Sequence, residues 1–195
     1  RYLMKANALL QVPIVDKDRK IIGLHLWNDT LNTKIRNNPV IIMAGGFGRR
    51  MKPQTNDTPK PMLKVNGKPI LEHIVENIRD CGFRNIIIST HYLSHKISGY
   101  FKNGKKWGVN IDYINEKKPL GTAGSLGLIK RKIGDPILVT NGDVISDINF
   151  SEILEYHKFH KATGTMAVRN YERQNPFGVI ESDGLNIRRI VEKPT

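Results

Sequence analysis

Four consecutive apolar residues, Val40-Ile41-Ile42-Met43, run without interruption into Ala44-Gly45-Gly46-Phe47-Gly48-Arg49-Arg50. A short apolar run with no polar alternation is the pattern of a strand buried on both faces, as in the interior of a parallel sheet. A buried strand that ends on glycines must turn sharply, because glycine enters φ > 0 without a Cβ penalty. Glycines also let backbone N–H groups approach an anion closely. The arginines that follow supply forked, permanently charged donors for phosphate oxygens. Further on, Pro59 and Pro61 hold Lys60 on a stiff, extended backbone. Strand, glycine turn, arginine and clamped lysine together read as a triphosphate cradle. The turn is not a P-loop, since no Gly-Lys-Ser/Thr closes it, and it lacks the spacing of the dinucleotide fingerprint.

From Val40 onward, strand and helix patterns alternate. Pro69 to Cys81 carries Ile70, Ile74, Val75 and Ile78 at helical spacing and stops before Gly82. Ile86 to Ile88 reads as an interior strand, His95 to Phe101 as a short helix, and Val109 to Ile114 as a strand. Ala123 to Ile133 is expected to be helical, Pro136 to Thr140 a strand, and Phe150 to His160 a helix. Thr165 to Val168, Gly178 to Ile180 and Ile187 to Val191 complete the set as strands. This order argues an α/β fold with a doubly wound, mostly parallel, Rossmann-like sheet whose sites lie at the carboxyl edge of the strands.

The first 38 residues differ in character. Val12 to Asp16 and Ile21 to Leu26 read as two short strands joined by a charged turn. Asn32 to Pro39 is polar and ends in a proline, as a linker would. The expected division is therefore 1–38 and 39–195.

Three further constellations carry chemistry. Pro136 to Asp143 is an apolar strand ending in Gly142-Asp143, and an aspartate in such a place suits Mg²⁺, which takes one or two protein carboxylates together with substrate phosphates. Glu116 to Gly124 (EKKPLGTAG) opens a helix with small residues, so free N–H groups can face an anionic or planar ligand. Val191-Glu192-Lys193-Pro194 follows Asn175-Pro176-Phe177-Gly178 at short range. The pairs His91/His95 and His157/His160 have spacings a metal could use, but neither has a neighbouring cysteine or carboxylate cluster to complete tetrahedral ligation. No Ser-His-Asp or Cys-His nucleophile arrangement is present.

The segments Ala44 to Gly48 with Arg50, Pro53 and Thr55, then Pro59 to Leu63 and Gly67 to Leu71, resemble the opening motif of the sugar-1-phosphate nucleotidylyltransferases, A-G-G-x-G-T-R-L…P-K-P-M-L…G-K-P-I-L. Arg49 stands where that motif has Thr, Met51 where it has Leu, and Gln54 where it has Leu. The resemblance implies transfer of a nucleotidyl group from an NTP to a sugar 1-phosphate, releasing pyrophosphate. It implies that Ala44, Gly45, Gly46, Gly48, Glu116, Gly121 and Thr122 bind the nucleotide. Arg50, Lys60, Asp143 and Lys193 would be catalytic, Gly178 and Glu192 would contact the sugar, and Asp143 would hold Mg²⁺. A carboxylate at Glu116 is suited to the paired N1–H and N2–H₂ donors of guanine, which favours GTP. A CBS-like start fused to such a domain resembles enzymes that activate amino sugars, which points to a mannose- or glucosamine-type sugar.

The family also carries a second metal-binding aspartate beyond the E-K-P motif, so the chain reads as a piece, with Asp147 the nearest substitute. The N-terminal pattern resembles the closing hairpin of a CBS module, with Asp29 at the acidic position and Leu26 where nucleotide-binding members place Ser or Thr. The rival reading is a regulatory subunit that binds a nucleotide sugar without catalysis.

The chain has 195 residues, 31 Lys and Arg against 18 Asp and Glu, and a net charge of +13. At this size roughly 70% of the unfolded surface is buried on folding, enough for a real core. The basic residues are scattered, and aromatics are only 7%. Nucleic acid is therefore not the expected partner, and a polyphosphate substrate gives the excess a second reason. No apolar run approaches the ~20 residues of a membrane span. The single Cys81 excludes an intramolecular disulfide framework and fits a cytoplasmic protein. Association of identical copies is left open.

Overall fold

The computed structural model describes residues 4, 7–26, 34–118, 120, 121, 123–129, 136–171 and 176–193. The chain divides into two compact units, 1–160 and 161–195.

The first unit begins with an antiparallel hairpin, β1 (Gln11–Val15) with β2 (Ile21–Leu26), paired Val12 to His25 and Ile14 to Gly23. Asp16 stabilises its turn, its Oδ1 accepting from the N–H groups of Asp18 and Lys20 at 2.9 Å each. Asp29 lies outside the described residues. The stretch expected to be a linker is docked along its described part. Arg36 forms an isolated bridge with Phe83, and the Asn38 amide donates to the Pro136 carbonyl at 2.8 Å.

Next comes β3 (Val40–Met43), then a two-residue ribbon of β4 (Lys64–Val65) and β5 (Lys68–Pro69), and α1 (Ile70–Asp80). They are followed by β6 (Asn85–Thr90), α2 (Ser94–Phe101), β7 (Asn110–Asn115), β8 (Leu138–Asn141) and α3 (Phe150–Phe159). Four of these strands form one parallel sheet in the order β7-β6-β3-β8. Val40 pairs with Ile86 on one side and Leu138 on the other. Chain order reverses between β3 and β8, so the loops after these two strands flank a crevice, the usual ligand position in an open α/β sheet.

The expected burial of β3 on both faces holds, with Val40, Ile41 and Ile42 fully inaccessible. The side chains of α1 at the predicted spacing, Ile70, Ile74, Val75 and Ile78, pack with Leu71 into the core formed by Ile86, Ile88, Phe83, Ile97 and Phe101. Each fully buried aliphatic side chain contributes about 1.5–3 kcal/mol. α3 starts at Asn149, whose Oδ1 accepts from the Ser151 and Glu152 N–H groups.

Two expected elements are not formed among the described residues. The helix over Ala123 to Ile133 is a 3₁₀ turn, Gly124–Leu128; residues 130–135 lie outside the described part. Gly124 and Gly127 explain the difference, since each glycine in a helix interior costs about 1 kcal/mol relative to alanine. Thr165 to Val168, in the second unit, forms no strand. Met166 and Val168 are more than 80% exposed, and no ladder partner pairs with them among the described residues. The remainder of that unit is an antiparallel hairpin, β9 (Val179–Asp183) with β10 (Asn186–Val191). Among the described residues, no helix is long and apolar enough to cross a membrane.

Candidate active site

The carboxyl ends of β3, β7 and β8 open onto a cavity of about 770 Å³. That volume lies within the range of small-ligand pockets. Of the residues expected to bind nucleotide or act in catalysis, Ala44, Gly45, Gly46, Gly48, Arg50, Lys60, Glu116, Gly121 and Asp143 all line it. Thr122 lies outside the described residues. Gly178, Glu192 and Lys193 belong to the second unit. There the Glu192 Oε2 stands 2.9 Å from where a Cβ of Gly178 would be, so the two expected sugar contacts are neighbours.

The glycine loop is shaped by specific neighbours. Gly48 has φ +62, in the left-handed region, and a Cβ there would meet the Thr55 Cγ2 at 3.0 Å. Thr55 is fully buried, and its hydroxyl donates to the Gly48 carbonyl at 2.9 Å. This turn launches the short 3₁₀ segment Arg49–Met51 toward the cavity. At Gly45 a Cβ would lie 3.1 Å from the Glu116 Oε1, so any side chain there would press on that carboxylate. At Gly46 a Cβ would meet no protein atom within 4 Å, which leaves open cavity beside the backbone.

Lys60 and Asp143 face each other, Nζ to Oδ2 at 2.6 Å, with side chains 29% and 32% exposed. Arg49 and Arg50 are exposed and make no ion pair among the described residues.

Glu116 is 5% exposed. Its Oε1 accepts from the Ser89 hydroxyl at 2.6 Å and its Oε2 from the Leu120 N–H at 3.1 Å. Its carbonyl meets the His91 Nδ1 at 2.6 Å. The carboxylate expected to meet a base is thus already bonded at both oxygens, tying the end of β6 to the loop that carries Gly121.

Several residues of the site were not expected from the sequence. Ser89 and His91 support Glu116, and Thr55 supports Gly48. Phe47 packs edge-on against His91, ring centroids 5.2 Å apart, and tilted against Tyr92 at 5.6 Å. Asn77 of α1 donates to the Ser146 and Ile148 carbonyls at 3.4 and 3.1 Å, pinning the segment after Asp143. Only Thr55 had a signal in the sequence, as part of the glycine-loop motif.

The donor set fits a divalent cation shared with substrate. Asp143 brings one hard carboxylate to the cavity, and no group of three or more His, Cys, Asp or Glu able to hold a metal alone occurs among the described residues. Such a cation completes its shell with water and phosphate oxygens.

A parallel sheet with glycine loop, arginines, lysine and carboxylate gathered at its switch point is the kind of crevice in which an α/β protein can take an anionic ligand. Residues 39–195 match the family described as Nucleotidyl transferase, and the chain belongs to that family. It is 38% identical over 160 residues to the mannose-1-phosphate guanylyltransferase catalytic subunit beta of Xenopus tropicalis, covering 79% of this chain and 44% of that one. It is 34% identical over 161 residues to a probable mannose-1-phosphate guanylyltransferase 1 of Oryza sativa subsp. japonica, covering 79% and 45%. The chain thus spans less than half the length of these relatives. Among solved structures it is similar to HddC from Yersinia pseudotuberculosis, with 28% identity, a TM-score of 0.58, and coverage of 81% of this chain and 70% of that one.

Proposed function

We propose that the protein transfers a nucleotidyl group from an NTP, with GTP favoured, to a sugar 1-phosphate of the mannose or glucosamine type. The products are an NDP-sugar and pyrophosphate. The observation that carries this reading is the convergence of the glycine loop, Arg50, Lys60 and Asp143 on one cavity. The preference for GTP is supported by the guanylyltransferase relatives, and by a structure of HddC complexed with GMP-PN at 28% identity and TM-score 0.56.

In the reaction a phosphate oxygen of the sugar 1-phosphate attacks the α-phosphorus. The bond from that phosphorus to the oxygen bridging to the β-phosphate breaks, and its electron pair leaves with pyrophosphate. Such a transfer is accelerated mainly by positioning and by stabilising charge. The N–H groups of Gly45 and Gly46 are assigned to the phosphate chain, for which their place in the cavity lining suits them. Arg50 offers a bidentate fork to its oxygens, and Lys60 a point charge. A Mg²⁺ held by Asp143 would neutralise phosphate charge and orient the reacting oxygens. Glu116 fixes the floor on which the nucleotide rests. Gly178 and Glu192 take the sugar, and Lys193 its phosphate.

The β1–β2 hairpin is read as the end of a CBS module, which its charged turn and short paired strands support. The unpaired Cys81 suits a reducing cytoplasm. The test is a screen of the full-length protein with each NTP against sugar 1-phosphates, reading pyrophosphate release. Release with GTP and mannose or glucosamine 1-phosphate is expected. Nucleotide-sugar binding with no release under any pairing would replace catalysis with a regulatory role.

A further inference from the structure

We propose that Arg49 is a second phosphate-gripping arginine of the cavity, held ready by Phe47, and that its ligand is the pyrophosphate portion of the nucleotide. The inference rests on the nucleotidyl-transfer reading above. Arg49 occupies the position where the resembling motif carries threonine, so it adds a cation beyond Arg50 and Lys60.

Three observations carry it. Arg49 lines the same cavity as Arg50 and Lys60. Its guanidinium carbon lies 5.1 Å from the centre of the Phe47 ring. That ring is itself wedged, edge-on against His91 and tilted against Tyr92. Tyr92 is tied down in turn, its hydroxyl donating to the Asn56 carbonyl at 2.6 Å and the Thr55 carbonyl at 3.3 Å. Phe47 is therefore a fixed platform at the end of the glycine loop, and Arg49 rests on it.

The electrostatics point to an anion. Arg49 and Arg50 are consecutive guanidinium groups, and neither has a carboxylate partner among the described residues. Lys60, the other cation of the cavity, is already paired with Asp143. Two adjacent uncompensated positive charges repel. Stacking one of them on an aromatic face restrains it without neutralising it. A guanidinium stacked in this way keeps its N–H edge free for forked bonds to phosphate oxygens. Pyrophosphate, with charge on both phosphates, can engage two arginines together, whereas a monophosphate can occupy Arg50 and Lys60 alone.

The experiment measures binding of inorganic pyrophosphate and of GMP by calorimetry, with Mg²⁺ present, to the full-length protein. Arg49→Thr, which restores the residue of the motif, should weaken pyrophosphate binding about 10-fold and change GMP binding less than twofold. Arg49→Lys should recover part of the loss, and it serves in place of Arg49→Thr if that variant has a lowered melting temperature. Phe47→Leu, which keeps apolar bulk but removes the ring face, should weaken pyrophosphate binding severalfold in the parent and have no further effect beside Arg49→Thr. Unchanged pyrophosphate affinity in Arg49→Thr, or equal losses for GMP and pyrophosphate, overturns the inference and leaves the transfer reading standing. A parent protein that binds no pyrophosphate at all overturns both.

Discussion

The Lys60 ammonium and the Asp143 carboxylate meet at 2.6 Å across the mouth of the cavity, each about two-thirds buried. The carboxylate proposed to hold a cation is therefore neutralised by the chain's own lysine before substrate arrives. A partly exposed pair of this kind is worth at most about 1 kcal/mol to stability, so its purpose is not to hold the fold. A cation held by Asp143 would free Lys60 to pair with a phosphate. Lys60→Met leaves Asp143 without its counter-ion. Mn²⁺ binding without nucleotide, followed by electron paramagnetic resonance, should tighten severalfold, while turnover falls by two orders of magnitude or more and the melting temperature barely moves. Unchanged Mn²⁺ affinity would show that Lys60 does not shield the carboxylate.

Thr55 is a second point where fold and site meet. Its methyl group lies against Gly48 and its hydroxyl donates to the Gly48 carbonyl, with no exposure to solvent. Thr55→Val keeps the volume and removes the donor. The Gly48 carbonyl keeps the Met51 N–H as a donor at 2.9 Å, so losing the hydroxyl's bond should cost about 0.5–1.5 kcal/mol, read as a lower denaturant midpoint at constant slope. Because Gly48 sets the direction of Arg49 and Arg50, KM for nucleotide should rise more than the stability loss accounts for once the variant is assayed well below its midpoint. A variant with reduced stability and unaltered KM would separate the turn from the site.

Much of this site was legible because chemistry and chain order coincide. The buried β3 run, the glycines after it and the aspartate after β8 are contiguous motifs, and a parallel sheet places all strand ends on one edge. What was missed depends on contacts distant in sequence. Ser89 and Glu116 are separated by 27 residues, and Asn77 and Ile148 by 71; no local period reveals such bonds. The β4–β5 ribbon did have a local signal. Asn66 and Gly67 have φ of 51 and 80, the arrangement of a type I′ hairpin turn for which Asn-Gly is the preferred sequence. The helix expected from Ala123 gives way to a 3₁₀ turn over Gly124–Leu128, where Gly124 and Gly127 weigh against helix.

Arg50 separates charge from geometry. It lines the cavity with an exposed guanidinium and no partner among the described residues. Arg50→Lys preserves the net charge and removes the forked donors. Loss of one bidentate contact to a charged oxygen is worth about 1.5–3 kcal/mol, so kcat/KM should fall roughly 10- to 150-fold. The fall should appear mainly in kcat if the fork acts on charge that grows as pyrophosphate leaves. If Arg50→Lys behaves as the parent and Arg49→Lys does not, the roles of the two arginines are exchanged.

The last expectation concerns the base. Guanine offers two adjacent donors that a free carboxylate can accept together, and this is the basis on which Glu116 points to GTP. In the folded protein that carboxylate is 5% exposed, with one oxygen on the Ser89 hydroxyl and the other on the Leu120 N–H. A glutamine can occupy the same place. Its carbonyl accepts from Leu120, and its amide donates to Ser89, whose hydroxyl can accept as readily as donate. Glu116→Gln should therefore fold normally and retain the parent's ratio of kcat/KM for GTP over UTP within about twofold. Glu116→Ala leaves the Ser89 hydroxyl and the Leu120 N–H without their acceptor, and it should lower kcat/KM for both nucleotides together. Steady-state kinetics with the two nucleotides decide the matter. A drop of tenfold or more in the GTP:UTP ratio for Glu116→Gln would return the residue to the base, because only direct contact with guanine distinguishes an acceptor pair from an amide at that position.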